Sequence, residues 1–498
     1  MSEPTTGQIY ADVTRPEFLV EWKPSGSWVA LGASDMSDIL NVSGAMDADS
    51  GGGVGFGSFA SSAFSVETVD DPAISSVTPD FVPMRASVGY DGSAKMPMCA
   101  GVTLSRRRSR AGASLGFEVQ GWHAAIQRQP IYSPLFYRRR GFTATTALSV
   151  EDPTSPAYQG GLGNYILWKV GGRPLEQPLT HGGGSFTYSC KTSLLTIPWA
   201  WAAGSNSWEE LLRLTRATGG QLYQAPDGTI TYRTPLDFAE PVGAPFTFTP
   251  DIYLDMQEDR PLSEVMHKVE CSYLERTVGP LQEVYKDTTT RELAASGTLT
   301  LAIVPTWPLY RHGAVELHAV DGQAGQQITL PFTVDDDQAQ RITITITNPV
   351  TRPVVITQLR LQGVPVAAGE EATLIYDTGF SGPLTTTFTV EKNIFIQERS
   401  HAQPLSQMIG QFAGLPRPQR TLSGCPFDPR RRLGEYVLLT DSAWSLSAAP
   451  HRITAIRHSE TGAQSDYTLV DVLGLPKRSD MFVIGQAYAG GTSRQLSY

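Results

Sequence analysis

The stretch that decides the fold is CAGVTLSRRRSRAGASLGFEVQGW, residues Cys99–Trp122. Met98–Thr103 and Leu115–Trp122, at its two ends, are rich in apolar and β-branched residues, which favours extended strands. The basic run Arg106-Arg107-Arg108-Ser109-Arg110 separates them. We therefore expect two neighbouring strands with the arginines at the bend between them.

A second strand pair of this kind lies near the end of the chain. Arg452–His458 and Tyr467–Leu473 are largely apolar and join across Thr461-Gly462. Near the start, Trp22 and Trp28 flank a Pro-Ser-Gly segment with the chemistry of a tight turn, which predicts a short hairpin. Many short strands separated by turns are typical of a β-barrel or a β-sandwich.

Length and composition exclude several classes of protein. The 498 residues suggest roughly three domains. A net charge of -10 argues against a general nucleic-acid binder, because such proteins are usually basic. No stretch approaches the ~20 apolar residues of a membrane span. The amino-terminal segment lacks the basic and apolar parts of a signal peptide, so we expect none.

The clearest predicted helix starts near Ser207. Ser207 and Glu210 have the spacing of a capping box, with Ser207 as the N-cap residue. Gly219 and Gly220 would end the helix, because glycine tolerates a left-handed conformation at the C-cap. A hairpin is expected over residues 221–234. The unit is helix, strand, turn, strand.

Two further segments have a clear period. Ile342, Ile344 and Ile346 alternate with threonines, which predicts a half-buried strand in a small β-sandwich over residues 296–374. A second helix is expected after it, with Pro404 in the first turn. Its apolar side consists of Leu405, Met408, Ile409 and Phe412.

Candidate chemical motifs are weak. The glycine run over Gly51–Gly57 lacks the Lys-Ser/Thr of a phosphate loop, so an ordinary loop is favoured. Asp335-Asp336-Asp337 lacks the remaining ligands of a calcium loop, which favours a charged β-turn. The pairs His312 with His318 and His451 with His458 lack the spacing of metal ligands, and solvated or hydrogen-bonded histidines are favoured.

Cysteines and nucleophiles add no signature either. The four cysteines are far apart, which argues against a disulfide framework or a zinc site and fits a reducing cytoplasm. Ser114 lies in a GxSxG pattern, Gly112–Gly116, but between two predicted strands, whereas the serine of a nucleophile elbow sits on a turn from a strand into a helix. A carboxylate pair for glycoside hydrolysis stays open, since such residues meet only in the fold. We expect no enzyme activity, no metal and no cofactor.

Three arginine clusters contrast with the acidic total charge. Clustered arginines bind carboxylates or phosphates through two hydrogen bonds at once. In a chain of net charge -10, contact with an acidic surface of a neighbouring subunit is the first interpretation, solvated loops the second and nucleic acid the third. The clusters are Arg106, Arg107 and Arg108; Arg138, Arg139 and Arg140; and Arg430, Arg431 and Arg432.

Five segments together resemble the tail-hub family of tailed bacteriophages, the minor tail proteins of the tail tip. Their order and spacing over nearly the whole chain carry the resemblance. The family pattern has Gly-Asp where this chain has Gly434-Glu435. The segments are Trp22–Val29, Cys99–Val102 with Phe117–Trp122, Leu211–Thr234, Ile394–Gln397 through His401-Ala402 to Pro416–Pro418, and Leu433–Val437 with Ile453–His458.

The resemblance implies two small β-barrels linked by mixed α/β parts. It implies a structural virion hub that joins the six-fold tail tube or distal tail ring to three-fold tip components around the DNA channel. The partners implied are two further copies in a homotrimer, the distal tail protein ring, the tape-measure protein and tail-tip spike or fibre proteins. Sequence-specific nucleic acid and a membrane span are not expected.

The implied location is the phage tail tip of the virion, after synthesis in the host cytoplasm, with roles in host attachment and genome ejection. Two other functions stay open. One is a tail-tip enzyme that degrades cell walls, which a catalytic motif would favour. The other, weaker one is a secreted carbohydrate-binding β-protein, against which the expected lack of a signal peptide counts.

The expected fold class is mainly β with α+β parts: two small β-barrels, a mixed α/β domain and an inserted β-sandwich. Three copies with two similar barrels each would form a pseudo-six-fold ring. The expected domains are a first hub barrel (1–125), a mixed α/β hub domain (126–240), the first part of a second barrel (241–295), the inserted sandwich (296–374), a helix with the rest of the second barrel (375–474) and a tail (475–498).

Overall fold

A computed structural model describes most of the chain. The predicted turns at 24–26 and 461–462, the glycine run 51–57 and the tail 475–498 lie outside the described residues. The described residues are 16–23, 27–31, 39–48, 59–69, 82–90, 93–109, 114–145, 160–174, 186–234, 237, 243–259, 265–323, 325–379, 386–413, 417–458 and 464–472.

The first half of the described chain contains fifteen strands and three α-helices. They are β1 Pro16–Trp22, β2 Val29–Ala30, β3 Ile39–Ala48, β4 Phe59–Val69, β5 Pro83–Tyr90, β6 Met96–Ser109, β7 Ser114–Gln120, α1 His123–Ile126, β8 Pro130–Tyr132, β9 Phe136–Arg140, α2 Leu162–Lys169, β10 Gly172–Pro174, β11 Phe186–Cys190, β12 Thr196–Ala200, β13 Ala203–Asn206, α3 Ser207–Thr218, β14 Gln221–Gln224 and β15 Ile230–Arg233.

The second half of the described chain adds sixteen strands, one α-helix and one short 3-10 helix, Ser442–Trp444, so the prediction of a mainly β fold is confirmed. They are β16 Phe246–Phe248, β17 Asp255–Asp259, β18 Lys268–Val278, β19 Gln282–Asp287, β20 Arg291–Leu293, β21 Thr298–Ile303, β22 Leu309–Asp321, β23 Gln327–Ile328, β24 Phe332–Gln338, β25 Arg341–Thr347, β26 Val354–Asp377, β27 Thr387–Val390, α4 Arg399–Ala413, β28 Gln419–Pro426, β29 Tyr436–Asp441, β30 Leu446–His458 and β31 Gln464–Asp471.

The first curved sheet has the strand order β2-β1-β5-β6-β7-β4-β3, and all its neighbouring strands are antiparallel. Val20 on β1, Met84 on β5, Phe117 on β7 and Phe64 on β4 belong to one buried cluster. A flat sheet would hold β1 and β4 several strand widths apart. The shared core therefore shows that the sheet curls around its own apolar face.

The second curved sheet has the order β17-β28-β31-β30-β29-β16. Phe248 on β16 and Met256 on β17 lie at its two edges, yet both pack in one core with Leu422, Leu439 and Tyr467. This sheet therefore curls as well. Of the predicted segment 241–295, only β16 and β17 belong to it.

A mixed α/β part lies beside the first curved sheet. Its large buried cluster combines α2, α3 and the strands β11 and β15 with α4, which lies far along the chain. The α4 helix begins at Arg399, so Pro404 lies inside it and not in its first turn as predicted. Leu405, Met408 and Ile409 are buried as the spacing predicted.

The N-cap residue of α3 is Asn206, and the prediction of a Ser207 capping box is wrong. Asn206 has an extended backbone, and its side chain accepts a hydrogen bond from the Glu209 N–H at 2.7 Å. Ser207 is already helical, and its hydroxyl donates to the Gln129 carbonyl at 2.6 Å. Glu210 accepts from the Ala203 N–H instead of reaching back to residue 207. Gly219 ends the helix in the left-handed region, as predicted.

Changing Asn206 to Ala should lower the free energy of unfolding by about 0.5–2 kcal/mol, because the Glu209 N–H loses its acceptor. Chemical denaturation followed by circular dichroism measures this loss. Asn206→Ser is the matched control, since serine also caps helices and should restore most of the stability. Equal stability of the alanine variant and the unmodified chain would contradict the assignment.

Strands between Lys268 and Val390 form two further sheets, which make a sandwich. One sheet has the order β23-β22-β26-β18-β27, with β19 and β20 also on β26, and the other has β21-β25-β24. Ile342, Ile344 and Ile346 are fully buried against this core, which confirms the alternation. Strands on both sides of the predicted boundary at 295 belong to the first of these sheets. That residues 296–374 form a separable domain stays a prediction.

Two turn predictions are wrong because their residues continue strands. Arg106–Arg108 are paired with Phe117–Leu115 of β7, so the arginines lie on β6 and not at the bend. Asp335–Asp337 lie on β24. There Asp335 accepts hydrogen bonds from threonine hydroxyls and Asp337 lies 2.7 Å from His312. The partners of these carboxylates lie on β24 itself, on the neighbouring β25 and on β22 of the other sheet.

Candidate functional site

The two curved sheets share one strand order. Six strands of the first sheet, β1-β5-β6-β7-β4-β3, match the six strands β16-β29-β30-β31-β28-β17 of the second, and only β2 has no counterpart among the described strands. Matched strands also follow each other in the same chain order. All matched neighbours are antiparallel except that β16 runs parallel to β29 where β1 runs antiparallel to β5. The chain therefore contains two versions of one sheet.

The matched sheets carry a β-bulge at the same place. The β6–β7 register shifts between Thr103 and Ser105, and the β30–β31 register shifts between Ile453 and Ala455. A bulge bends its strand and increases the local twist. Counting from the bulge, Arg107 of the first sheet corresponds to Arg457 of the second.

The buried faces match as well. Leu115, Phe117 and Val119 point into the first core from β7, and Tyr467 and Leu469 point into the second core from β31. A one-residue slip between matched strands would turn every side chain to the other face. The correspondence therefore holds residue by residue.

The two sheets are joined edge to edge inside the chain. The backbone of β3 pairs antiparallel with the end of β30, with Gly44 opposite His458 and Ala45 opposite Arg457. The pairing makes one continuous sheet across both halves. We call this the internal junction.

Phe427 stabilises the internal junction by packing against both sheets. It lies in the connection between β28 and β29 of the second sheet but is buried in the core of the first. The Tyr90 hydroxyl donates a hydrogen bond to the Phe427 carbonyl. The Phe427 ring lies 6.5 Å from that of Phe18 and 4.6 Å, edge-on, from that of His458. Burial lowers the pKa of His458 to about 4.

The second core also holds a buried charged group. An Nη atom of Arg420 lies 2.5 Å from a Glu258 oxygen, and the other lies 2.5 Å from Nε2 of His451. Arg420 is 4% exposed. Arg420 therefore depends on Glu258 for its charge balance inside the sheet.

The structure places the first arginine cluster on an exposed strand. Arg106, Arg107 and Arg108 are all exposed on β6. Arg107 lies 3.2 Å from Glu118 on the neighbouring strand, and its side chain is 84% exposed. A pair this exposed contributes little to stability.

The second cluster belongs to the mixed α/β part. Arg138 is exposed on β9 with a positive φ of 47° and lies over the Tyr137 ring. Arg139 lies over the Phe136 ring. Arg140 donates to the Leu194 carbonyl, and burial lowers its pKa.

The third cluster is occupied within the chain. Arg430 binds Asp428 at 2.9 Å, and Arg431 binds Asp428 at 3.3 Å and also Glu435. Arg432 donates to the Pro429 carbonyl. The structure does not bring the three clusters together. Use of their residues as subunit contacts stays a prediction.

The acidic strand β17 was missed from the sequence. It reads Asp255-Met256-Gln257-Glu258-Asp259. Met256 faces the second core, while Asp255, Gln257 and Asp259 are exposed. The signal was present, since one apolar residue within an acidic, alternating run marks an edge strand with a charged outer face.

In the described part of the chain, no three His, Cys, Asp or Glu side chains lie together in a way that could hold a metal ion. Within the same residues, no helix has the length and apolar character needed to cross a membrane. The four cysteines are unpaired with one another and buried, and burial raises the pKa of Cys99.

Comparison with known proteins gave matches only among solved structures. No family model and no curated protein matches the chain. The chain is similar to the 43 kDa tail protein of prophage MuSo2 from Shewanella oneidensis, at 10% identity and a TM-score of 0.45 over 92% of this chain and 99% of that one. It is similar to a tail protein from Neisseria meningitidis MC58, at 9% identity and a TM-score of 0.46 over 92% and 97%.

A third similar structure is the Francisella PdpA-VgrG complex, at 8% identity and a TM-score of 0.39, covering 98% of this chain and 55% of that one. Two of these three structures are described as tail proteins.

Proposed function

We propose that this chain is a structural, non-enzymatic hub at the tail tip of a bacteriophage virion. It would join the six-fold tail tube or distal tail ring to three-fold tip components around the DNA channel. The observation that carries the proposal is the shared strand order of the two curved sheets. The five sequence segments that resemble tail hubs support it.

Two matched sheets in one chain offer a solution to a symmetry mismatch. Three copies of the chain would present six similar sheets in a ring, while the rest of each chain would repeat only three times. The sandwich enters between β17 and β28 of the second sheet, where the first sheet has only the short connection between β3 and β4. The six-fold likeness would therefore be confined to the level of the sheets.

The proposed partners follow from this position. The sheet ring would face the distal tail protein ring, the channel would admit the tape-measure protein, and the three-fold parts would carry spike or fibre proteins. The site of action would be the virion tail tip, with roles in host attachment and genome ejection.

The proposal predicts a homotrimer. Native mass spectrometry of the purified chain should give a species of three times the chain mass. Reconstruction of the tail tip from electron micrographs should show three copies with their curved sheets alternating around the channel. A stable monomer or dimer within the particle would overturn the proposal.

A further inference from the structure

The internal junction uses two strands that each have a counterpart in the other sheet. It joins β3 of the first sheet to β30 of the second. In the matched order, β3 corresponds to β17 and β30 corresponds to β6. The corresponding pair would therefore be β17 with β6. Within one chain, the described pairings of these two strands are β17 with β28 and β6 with β5 and β7.

The register of this second pair follows from the neighbouring strands. Ala45 of β3 lies opposite Ala63 of β4, and Asp259 of β17 lies opposite Gln419 of β28. Ala63 in turn lies opposite Gln120 of β7, while Gln419 lies opposite Val470 of β31. Val470 is the residue of β31 that matches Gln120 of β7 when both strands are counted from their bulges. Ala45 therefore corresponds to Asp259.

The other side of the junction is fixed by the bulges. Arg457 lies opposite Asp466 of β31, two residues beyond the bulged pair Ala455 and Thr468. Arg107 lies opposite Gly116 of β7 at the same distance from its bulge. Because Ala45 lies opposite Arg457 in the internal junction, the matched pair is Asp259 opposite Arg107.

We propose that β17 of one copy pairs antiparallel with the arginine end of β6 in the next copy, with Asp259 opposite Arg107 and Glu258 opposite Arg108. This external junction repeats the internal junction between chains. It rests on the proposed hub function, because it supplies the contact by which three copies would close into a ring.

Charge and orientation both favour this partner. Met256 and Glu258 point into the second core, so the alternation of the strand turns Asp259 to the outer face, where it is exposed. Arg107 lies opposite Gly116, between the inward-facing Leu115 and Phe117 of β7, so it also points outward. Opposite charges placed directly across antiparallel strands stabilise the pairing.

The geometry also fixes the kind of assembly. The external junction joins two different strands, so each copy offers one β17 and one β6 edge. Such a head-to-tail contact closes into a ring when the rotation between copies divides a full turn. Edge pairing would also cover strands that attract unwanted partners when exposed.

Charge reversal tests the contact. Arg107→Glu or Asp259→Arg alone should raise the concentration at which the trimer forms by about tenfold or more, because like charges then face each other across every external junction. The double variant should restore the trimer. Arg311→Glu, a reversal at an exposed arginine of β22 in the sandwich, is the control and should leave trimer formation unchanged.

A crosslink gives an independent measurement. Cysteines at directly opposed strand positions fall within disulfide range, and the four native cysteines are buried. Under oxidation, the Arg107→Cys/Asp259→Cys variant should therefore give covalent dimers and trimers that reducing agent dissolves. Arg107→Cys/Gln257→Cys is the matched control, because Gln257 lies two residues along the same strand and out of reach.

The outcomes separate this inference from the proposed function. A trimer that survives both single reversals, with no crosslink at 107 and 259, would overturn the external junction and leave the hub proposal standing. A chain that forms no trimer in any variant, in solution or in the particle, would overturn both.

Discussion

Replacing Phe427 with alanine should lower the free energy of unfolding by about 3–5 kcal/mol. The Phe427 ring is 1% exposed and fills the core of the first curved sheet although it belongs to the second. Its removal leaves a cavity at the internal junction, and the surrounding core collapses only in part. We also expect the two sheets to unfold at more widely separated temperatures, because they lose the side chain that they share.

Differential scanning calorimetry measures both effects. Phe427→Leu should recover most of the stability, since leucine refills much of the space. Phe332→Ala is the control for loss of an aromatic ring at an exposed site, 38% exposed, and should change the stability by about 0.5 kcal/mol or less. If Phe427→Ala lowered the stability no more than Phe332→Ala does, the Phe427 ring would not connect the two sheets.

Separating the buried pair of Arg420 and Glu258 should have an effect of the same size. Glu258→Gln leaves the buried Arg420 charge without its carboxylate partner, and Arg420→Met leaves the Glu258 carboxylate without its guanidinium partner. Each change should cost about 3–5 kcal/mol, because an uncompensated charge then stays inside the sheet. The double variant should cost much less than the sum, since both charges are gone.

The unmodified chain, the two single variants and the double variant form a double-mutant cycle, and denaturant unfolding measures the stability of each. Lys392→Met is the control, because Lys392 pairs with Glu371 at 2.7 Å on the surface, where a salt bridge contributes about 0–1 kcal/mol. Additive losses in the double variant would mean that Arg420 and Glu258 act separately.

Local pattern predicted much of the secondary structure. The Ile342–Ile346 alternation gave a buried strand, and the apolar spacing of Leu405, Met408 and Ile409 gave the buried side of α4. These features depend on a few neighbouring residues, so a sequence window contains them. The N-cap was misplaced by one residue because Asn206 and Ser207 are both good caps, and the Gln129 carbonyl, far away in sequence, captured the serine hydroxyl.

Only one of the two strands of the proposed external junction could be identified from the sequence as a contact surface. Arg106–Arg108 were identified as subunit-contact candidates, but as part of a bend, because a run of arginines carries no period that reveals a strand. Their proposed partner Asp259 gave no signal by itself. The correspondence between the two depends on the register of seven strand pairs, and strand register across hundreds of residues cannot be derived from local composition.

The Tyr90–Phe427 contact also has a consequence for synthesis. The two residues are 337 positions apart, so a ribosome must translate most of the chain before the first sheet can receive its missing ring. Contacts between such distant positions make folding slow, and they leave the incomplete chain open to aggregation. Because β30, which completes the internal junction, is translated later still, a nascent chain should be unable to join a ring until its last strands have left the ribosome.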